Sequence, residues 1–283
     1  HQGVRQRRQR RVKALIFDCD GVLAETERDG HRVAFNRMFA EEHLDVEWTE
    51  EGYASALQVA GGKERLRQLC TPAFIEKHGL PGELAALDEL VASWHRRKTE
   101  IFLELVAEGR MPSRAGVRRL AEEAHASGWR LAVASTSALE SVEAIARQAL
   151  GEDLVATCRI AAGDMVTDKK PAPAIYLHAA SMLGVSPEDT VAVEDSRIGV
   201  NAAVAAGMRV VATVSHYTAD EDLSAADVVV DGLGEPDGSP VTVYQNHIAA
   251  EINTHVSLDH VALMVGSPSA LSGAAQSKVK PWR

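Results

Sequence analysis

The hexapeptide Asp18-Cys19-Asp20-Gly21-Val22-Leu23 follows an apolar run, Ala14-Leu15-Ile16-Phe17, and sets two carboxylates one residue apart. Such a pair can divide labour between a nucleophile that also binds a cation and a group that moves protons. The same residues also make an ordinary Asp/Gly turn. Asp-x-Asp opens an EF-hand loop too, but that loop needs a third ligand before its Gly and a helix in front, and this segment has neither. Other chemistry-bearing residues stand in comparable places further along. Ser135, with Thr136 and Ser137, follows Leu131–Ala134; Lys170 precedes Pro171 in Asp168-Lys169-Lys170-Pro171-Ala172-Pro173; Glu194-Asp195-Ser196 follows Thr190–Val193. Singly, each has a plain structural use as a helix cap, a solvated loop or an acidic first turn. Jointly they offer carboxylate, hydroxyl and ammonium. That set suits phosphoryl transfer, where the protein positions the group and neutralises its equatorial oxygens. Oxygen-only ligands with room for water favour Mg²⁺ over zinc.

Such residues act together only if separate strands deliver them to one edge. Apolar runs at Ala14–Phe17, Leu131–Ala134, Ala156–Ile160, Thr190–Val193, Val210–Thr213 and Val228–Val230 predict strands. Helical patterns at Leu139–Leu150, Ala172–Leu183 and Ile198–Ala206 alternate with them. This predicts an α/β fold with a doubly wound parallel-sheet core, whose ligands bind beyond the carboxyl ends of the strands. Residues 27–112 break the alternation and read as helical throughout. An early apolar set (Val33, Phe35, Met38, Phe39) and a later long one (Leu87–Val106) flank the glycine-hinged basic turn Val59–Arg65. The expected organisation is a core made of residues 12–26 and 113–240, with an inserted all-helical cap at 27–112. Residues 241–283, after a linker-like Gly234–Pro240, form a C-terminal extension with no firm period, expected either to pack on the core as an appendage or to be partly disordered.

The whole chain bounds the function class. It has 283 residues, 46% hydrophobic content and a net charge of −10, which argues against a general nucleic-acid binder and for small-molecule chemistry. Cys19, Cys70 and Cys158 are too scattered for a disulfide framework or a zinc site, and Cys19 is expected to pack in the core. No run is apolar for long enough to span a membrane. Residues 1–11, carrying Arg5, Arg7, Arg8, Arg10 and Arg11 and no acid, are expected to be either a basic leader of the kind an organelle transit segment leaves near its cleavage point, or a tag or plain disordered arm. A chloroplast stroma location follows from the transit reading; the alternative is a bacterial cytoplasm. A monomer is the default expectation.

The joint pattern resembles the haloacid dehalogenase-like phosphotransferase superfamily over residues 12 to about 232. Asp18–Leu23 matches its first motif, Ser135 its second, Lys170 its third and Glu194-Asp195 its fourth. A finer resemblance, carried by Asp20–Glu27, His31–Asn36, Lys169–Pro173, Val193–Gly199 and Tyr217–Asp222, is to the CbbY-like branch of xylulose-1,5-bisphosphate phosphatases attached to the Calvin cycle. The tail after residue 240 does not match.

The resemblance implies hydrolysis through an aspartyl phosphate, with Asp18 as nucleophile and Asp20 as acid and then base. It implies Mg²⁺ held by Asp18, the backbone carbonyl of Asp20, Asp195 and Glu194, and phosphoryl oxygens held by Ser135, Thr136 and Lys170. Glu25 and His31 are expected to reach sugar hydroxyls. Lys63, Arg65, Arg97 and Lys98 are the cap cations expected to hold a second phosphate, although any one of them also suits a solvated helix face. The expected partner is a small sugar bisphosphate, whose removal protects Rubisco from an inhibitory by-product. A β-phosphoglucomutase-like phosphomutase is the alternative within this chemistry. A non-enzymatic phospho-aspartate signalling module is the alternative outside it, opposed by the large helical insertion and by Lys170-Pro171.

Overall fold

The computed structural model describes residues 11–265. The basic leader lies almost entirely outside the described residues, as does the end of the C-terminal extension. In chain order the strands are β1 (Ala14–Phe17), β2 (Arg130–Ser135), β3 (Arg159–Ala162), β4 (Thr190–Glu194), β5 (Arg209–Thr213), β6 (Val228–Val230) and β7 (Val243–Asn246). Between β1 and β2 lie one π-helical turn at Glu27–His31 and α1 (Arg32–Glu41), α2 (Glu50–Ala56), α3 (Gly62–Leu69), α4 (Pro72–His78), α5 (Leu84–Ala107) and α6 (Val117–Ala126). The remaining helices are α7 (Leu139–Leu150), α8 (Glu152–Val155), α9 (Ala174–Leu183), α10 (Arg197–Ala205) and α11 (Leu258–Met264).

The strands form one seven-stranded sheet in the order β3-β2-β1-β4-β5-β6-β7, parallel except for β7. Both faces of β1 are buried, as a parallel strand between helical layers requires. Its side chains alternate: Leu15 and Phe17 join one apolar cluster with α6 and α7, while Ala14 and Ile16 join a second with α9 and α10. Strand order reverses at β1, which opens a crevice at its carboxyl end.

The helical insertion packs α1 on α5 through buried Phe35, Met38, Phe39, Trp94, Ile101 and Phe102. Trp48 closes this cluster edge-on against Phe35 at 4.9 Å and Phe39 at 5.0 Å. Gly30 allows the close approach, since a Cβ there would lie 2.2 Å from the Met111 sulfur and 2.8 Å from Phe102. The two connections to the sheet run side by side: Arg114 N donates to Leu23 O at 2.9 Å, and Ala24 bridges Ser113.

Two expectations need correction. The apolar run Ala156–Ile160 is mostly not strand. Thr157 and Cys158 donate back to Leu154 O and Val155 O at 2.9 and 3.0 Å, closing α8, and β3 starts only at Arg159. The core also does not stop at residue 240. β7 pairs antiparallel with β6 and covers what would be an open sheet edge, and α11 packs on α6. Val243, Tyr244 and Gln245 are all half-buried, so the segment shows none of the alternation that marks a one-sided strand.

Candidate active site

Strand register builds the site. Phe17 pairs with Val133 on one side and with Val193 on the other, so Asp18 and Glu194 leave the sheet side by side. Asp18 N donates to Val193 O at 2.9 Å, extending the ladder by one bond. Lys170, ahead of α9, donates from Nζ to Asp18 Oδ1 and to Glu194 Oε1, each at 2.6 Å, and to Ala134 O at 3.3 Å. The Tyr176 hydroxyl, in the first turn of α9, donates to the same Glu194 oxygen. Asp195 accepts from Ser215 Oγ at 2.6 Å. Gly21 passes directly against it at φ +81°, where a Cβ would lie 2.1 Å from Asp195 Oδ2.

Asp18, Glu194 and Asp195 each bring an oxygen within 4.8 Å of the others, all three buried. Burial pushes the Asp18 and Asp195 carboxyls well above the usual range. Lys170 pulls Asp18 down and Glu194 pushes it up, while Glu194 and Asp18 together push Asp195 up. Hard oxygen donors with unbalanced negative charge fit a divalent cation.

Asp20 faces the other way, into the insertion. Its Oδ1 accepts from Thr26 Oγ1 and, at 2.8 Å, from His31 Nε2; its Oδ2 accepts from Ser137 Oγ at 2.6 Å. Burial would raise this carboxyl. His31 and the hydrogen bonds from His31, Ser137 and Thr26 outweigh that and hold it well below the usual range. His31 Nδ1 meets Lys98 Nζ at 2.6 Å, and an ammonium only donates, so Nδ1 accepts and Nε2 carries the proton toward Asp20. The imidazole lies flat on Phe102, with centroids 4.0 Å apart and planes 9° apart. Beside this chain is a narrow cleft, lined from the helical side by His31, Gly61, Gly62, Arg65, His95 and Lys98 and from the sheet side by Thr136, Ser137 and Ala138.

Known proteins are similar to this chain over most of its length. A CBBY-like protein of Arabidopsis thaliana is 46% identical, covering 79% of this chain and 70% of that protein. Protein CbbY of Rhodobacter capsulatus is 43% identical, covering 76% and 91%. A crystal structure of mutant CbbY from Rhodobacter sphaeroides in complex with xylulose-(1,5)bisphosphate aligns with TM-score 0.69 and 42% identity, covering 78% of this chain and 94% of that one. The haloacid dehalogenase-like hydrolase family matches residues 12–207.

The chain is a haloacid dehalogenase-like hydrolase.

Within that family it falls in the CbbY-like branch, and it is a phosphatase. The helical insertion occupies the cap position of this hydrolase. Its structure brings Asp18, Lys170, Glu194 and Asp195 together, and joins His31, Lys98, Arg65 and Thr136 at the cleft, with Asp20 bonded to His31 and Ser137 of its lining. Ser135 is buried at the end of β2, its Oγ accepting from Ser137 N at 3.1 Å. Three expected substrate contacts do not line the cleft. Arg97 is on the outer face of α5, paired with Glu41 and Glu100, because α5 turns its neighbour Lys98 inward instead. Lys63 bridges the cap to Asp164 in the loop after β3. Glu25 sits 3.8 Å from Arg114, on the hinge.

Sequence reading passed over Thr26, Tyr176, Ser215, Arg114 and His95. Thr26 lies within the quoted Asp20–Glu27 stretch and Tyr176 in the helix after Lys170, so position alone could have flagged both. His95 precedes Lys98 by one helical turn, and burial lowers it to about 3, so the imidazole at the cleft is neutral.

Burial also lowers Lys98, from 10.5 to about 8. Its ammonium, and with it the donor that fixes His31, is therefore lost as pH rises through that value. The kcat profile should show an alkaline limb near pH 8. In Lys98→Met, kcat should fall and the limb should disappear, while an unchanged limb would detach it from Lys98.

Proposed function

We propose that this phosphatase hydrolyses a five-carbon sugar bisphosphate, xylulose 1,5-bisphosphate, with Mg²⁺, as a monomer. The carrying observation is the cleft: the cap sets Arg65 and Lys98 opposite the hydroxyls of the β2 loop, and Ser137 of that loop bonds Asp20, two residues from Asp18, so a second phosphate on the substrate would meet the cap cations. The complex of the Rhodobacter sphaeroides relative with this compound supports the choice. The plant relative and the basic leader favour the chloroplast stroma, where the reaction would protect Rubisco from an inhibitory by-product.

In this reading an Asp18 oxygen attacks phosphorus in line, and the bond from phosphorus to the sugar oxygen breaks. Asp20 gives that oxygen a proton; in the second half it takes a proton from the water that displaces Asp18. The ionised Asp20 of the free protein suits the base step, and an incoming phosphate dianion raises its carboxyl for the acid step. Lys170 and the hydroxyls of Ser135 and Thr136 hold phosphoryl oxygens, and His31 keeps Asp20 aimed. Asp18, Asp195, Glu194 and the Asp20 carbonyl would hold Mg²⁺, which supplies charge neutralisation of the transferring group.

The test is phosphate release with Mg²⁺ from xylulose 1,5-bisphosphate, ribulose 1,5-bisphosphate, fructose 1,6-bisphosphate and β-glucose 1-phosphate, with glucose 6-phosphate followed in parallel. Release from the xylulose compound at least about tenfold faster, in kcat/KM, than from the others is expected. Glucose 6-phosphate formed without net phosphate release would replace this reading with a mutase.

A further inference from the structure

The geometry points to Arg114 as a positioning residue that fixes the two walls between which Asp195 is held, and so sets the cation affinity of the Asp18–Glu194–Asp195 cluster. This rests on reading that cluster as the divalent-cation site. Arg114 stands where the chain returns from cap to core, and its side chain is only 14% exposed. Its Nη1 donates to Gly21 O and, at 3.2 Å, to Thr213 Oγ1. Its Nη2 donates to Val214 O at 2.7 Å and to Asp231 O at 2.9 Å. The nearest carboxylate, Glu25, is 3.8 Å away and 42% exposed.

A guanidinium spent mostly on neutral carbonyls is a poor stabiliser compared with a well-packed apolar side chain. What a guanidinium does that an apolar group cannot is hold several acceptors in one plane. Those acceptors flank Asp195. Gly21 is the wall on one side, close enough that a Cβ would overlap Asp195 Oδ2. Val214 leads into Ser215, the wall on the other side, whose hydroxyl donates to that same oxygen at 2.6 Å. Thr213, also held by Arg114, donates from Oγ1 to Glu194 O at 3.4 Å. One side chain therefore ties the loop after β1 to the end of β5, and the carboxylate between them has its direction set.

The experiment compares Arg114→Met and Arg114→Lys with wild type in the full chain. Mg²⁺ affinity is read from the Mg²⁺ dependence of the unfolding temperature and from calorimetry, with kcat and KM taken at saturating Mg²⁺. Both variants should bind Mg²⁺ at least about tenfold more weakly, the range seen when groups orienting metal ligands are lost. Lysine should not rescue, because it keeps the charge without the fork. KM for substrate should move less than kcat. If either folded variant lowers the unfolding temperature yet keeps wild-type Mg²⁺ affinity, Arg114 is structural only. Arg114→Lys keeps the test decisive if Arg114→Met does not fold, and failure of wild type to respond to Mg²⁺ would overturn the cation-site reading itself.

Discussion

Replacing Asp18 with Asn is expected to lower phosphate release by at least about a thousandfold while leaving the fold intact. The amide keeps the size and planarity of the carboxylate but cannot form the acyl phosphate. Asp18 is buried just beyond the carboxyl end of β1, with Lys170 2.6 Å away. Stability is the more telling readout. Burial and the neighbouring carboxylates disfavour the Asp18 charge. A neutral amide removes that repulsion, so the unfolding temperature should not fall and the cation response should weaken. Single-turnover and steady-state phosphate assays, with thermal unfolding in and out of Mg²⁺, check both halves. A variant retaining substantial activity would sink the nucleophile assignment.

Lys170→Met should be nearly as damaging to turnover, but it should also destabilise. The ammonium bridges Asp18 and Glu194, both buried, and removing one partner of such a group typically costs about 3–5 kcal/mol. The pH dependence gives the sign. Folding already raises the Asp18 and Asp195 carboxyls above their unfolded value of 3.8, and Lys170 is the main influence pulling Asp18 down. Without it the folded state binds more protons than the unfolded state over a wider range. Stability is then highest near the unfolded carboxylate pKa and is lost as pH rises toward the raised folded value. The deficit of Lys170→Met against wild type should therefore shrink from about pH 7.5 to about pH 5. Added Mg²⁺ should narrow it as well, by supplying charge to the same oxygens. A deficit independent of both pH and Mg²⁺ would place the role of Lys170 in packing alone.

What the sequence made legible was local. The strand Ala14–Phe17 carries its own signal, a short apolar run ending in acid and glycine, and Lys170 is announced by the prolines around it. The register that sets Asp18 beside Glu194 is not local, yet it follows once both are placed at strand ends in a parallel sheet. Cap cations were harder. Arg97 and Lys98 are consecutive residues of one helix, and composition gives no reason to send Lys98 inward over the Phe35 and Phe102 rings and Arg97 out to Glu41. The supporting residues were harder still. Tyr176 and Ser215 bond carboxylates, and Arg114 bonds the Gly21 carbonyl, across chain separations that only the finished fold closes. The edge strand β7 escaped because Val243, Tyr244 and Gln245 are all half-buried and Asn246 is buried, which leaves no alternation to read.

The position of the insertion has a bearing on how the protein is made. β1 leads directly into both aspartates, but it pairs only with β2 and β4, whose residues begin at Arg130 and Thr190. On the ribosome the cap helices emerge complete, with their own aromatic cluster, before either partner of β1 exists. The Ala-Leu-Ile-Phe strand must wait, hydrophobic on both faces, unpaired along both edges until β2 is made and along one edge until β4 is made. Nascent chains halted before β4 are thus the species most exposed to aggregation, and chaperone demand during synthesis should centre on this short strand rather than on the larger helical domain.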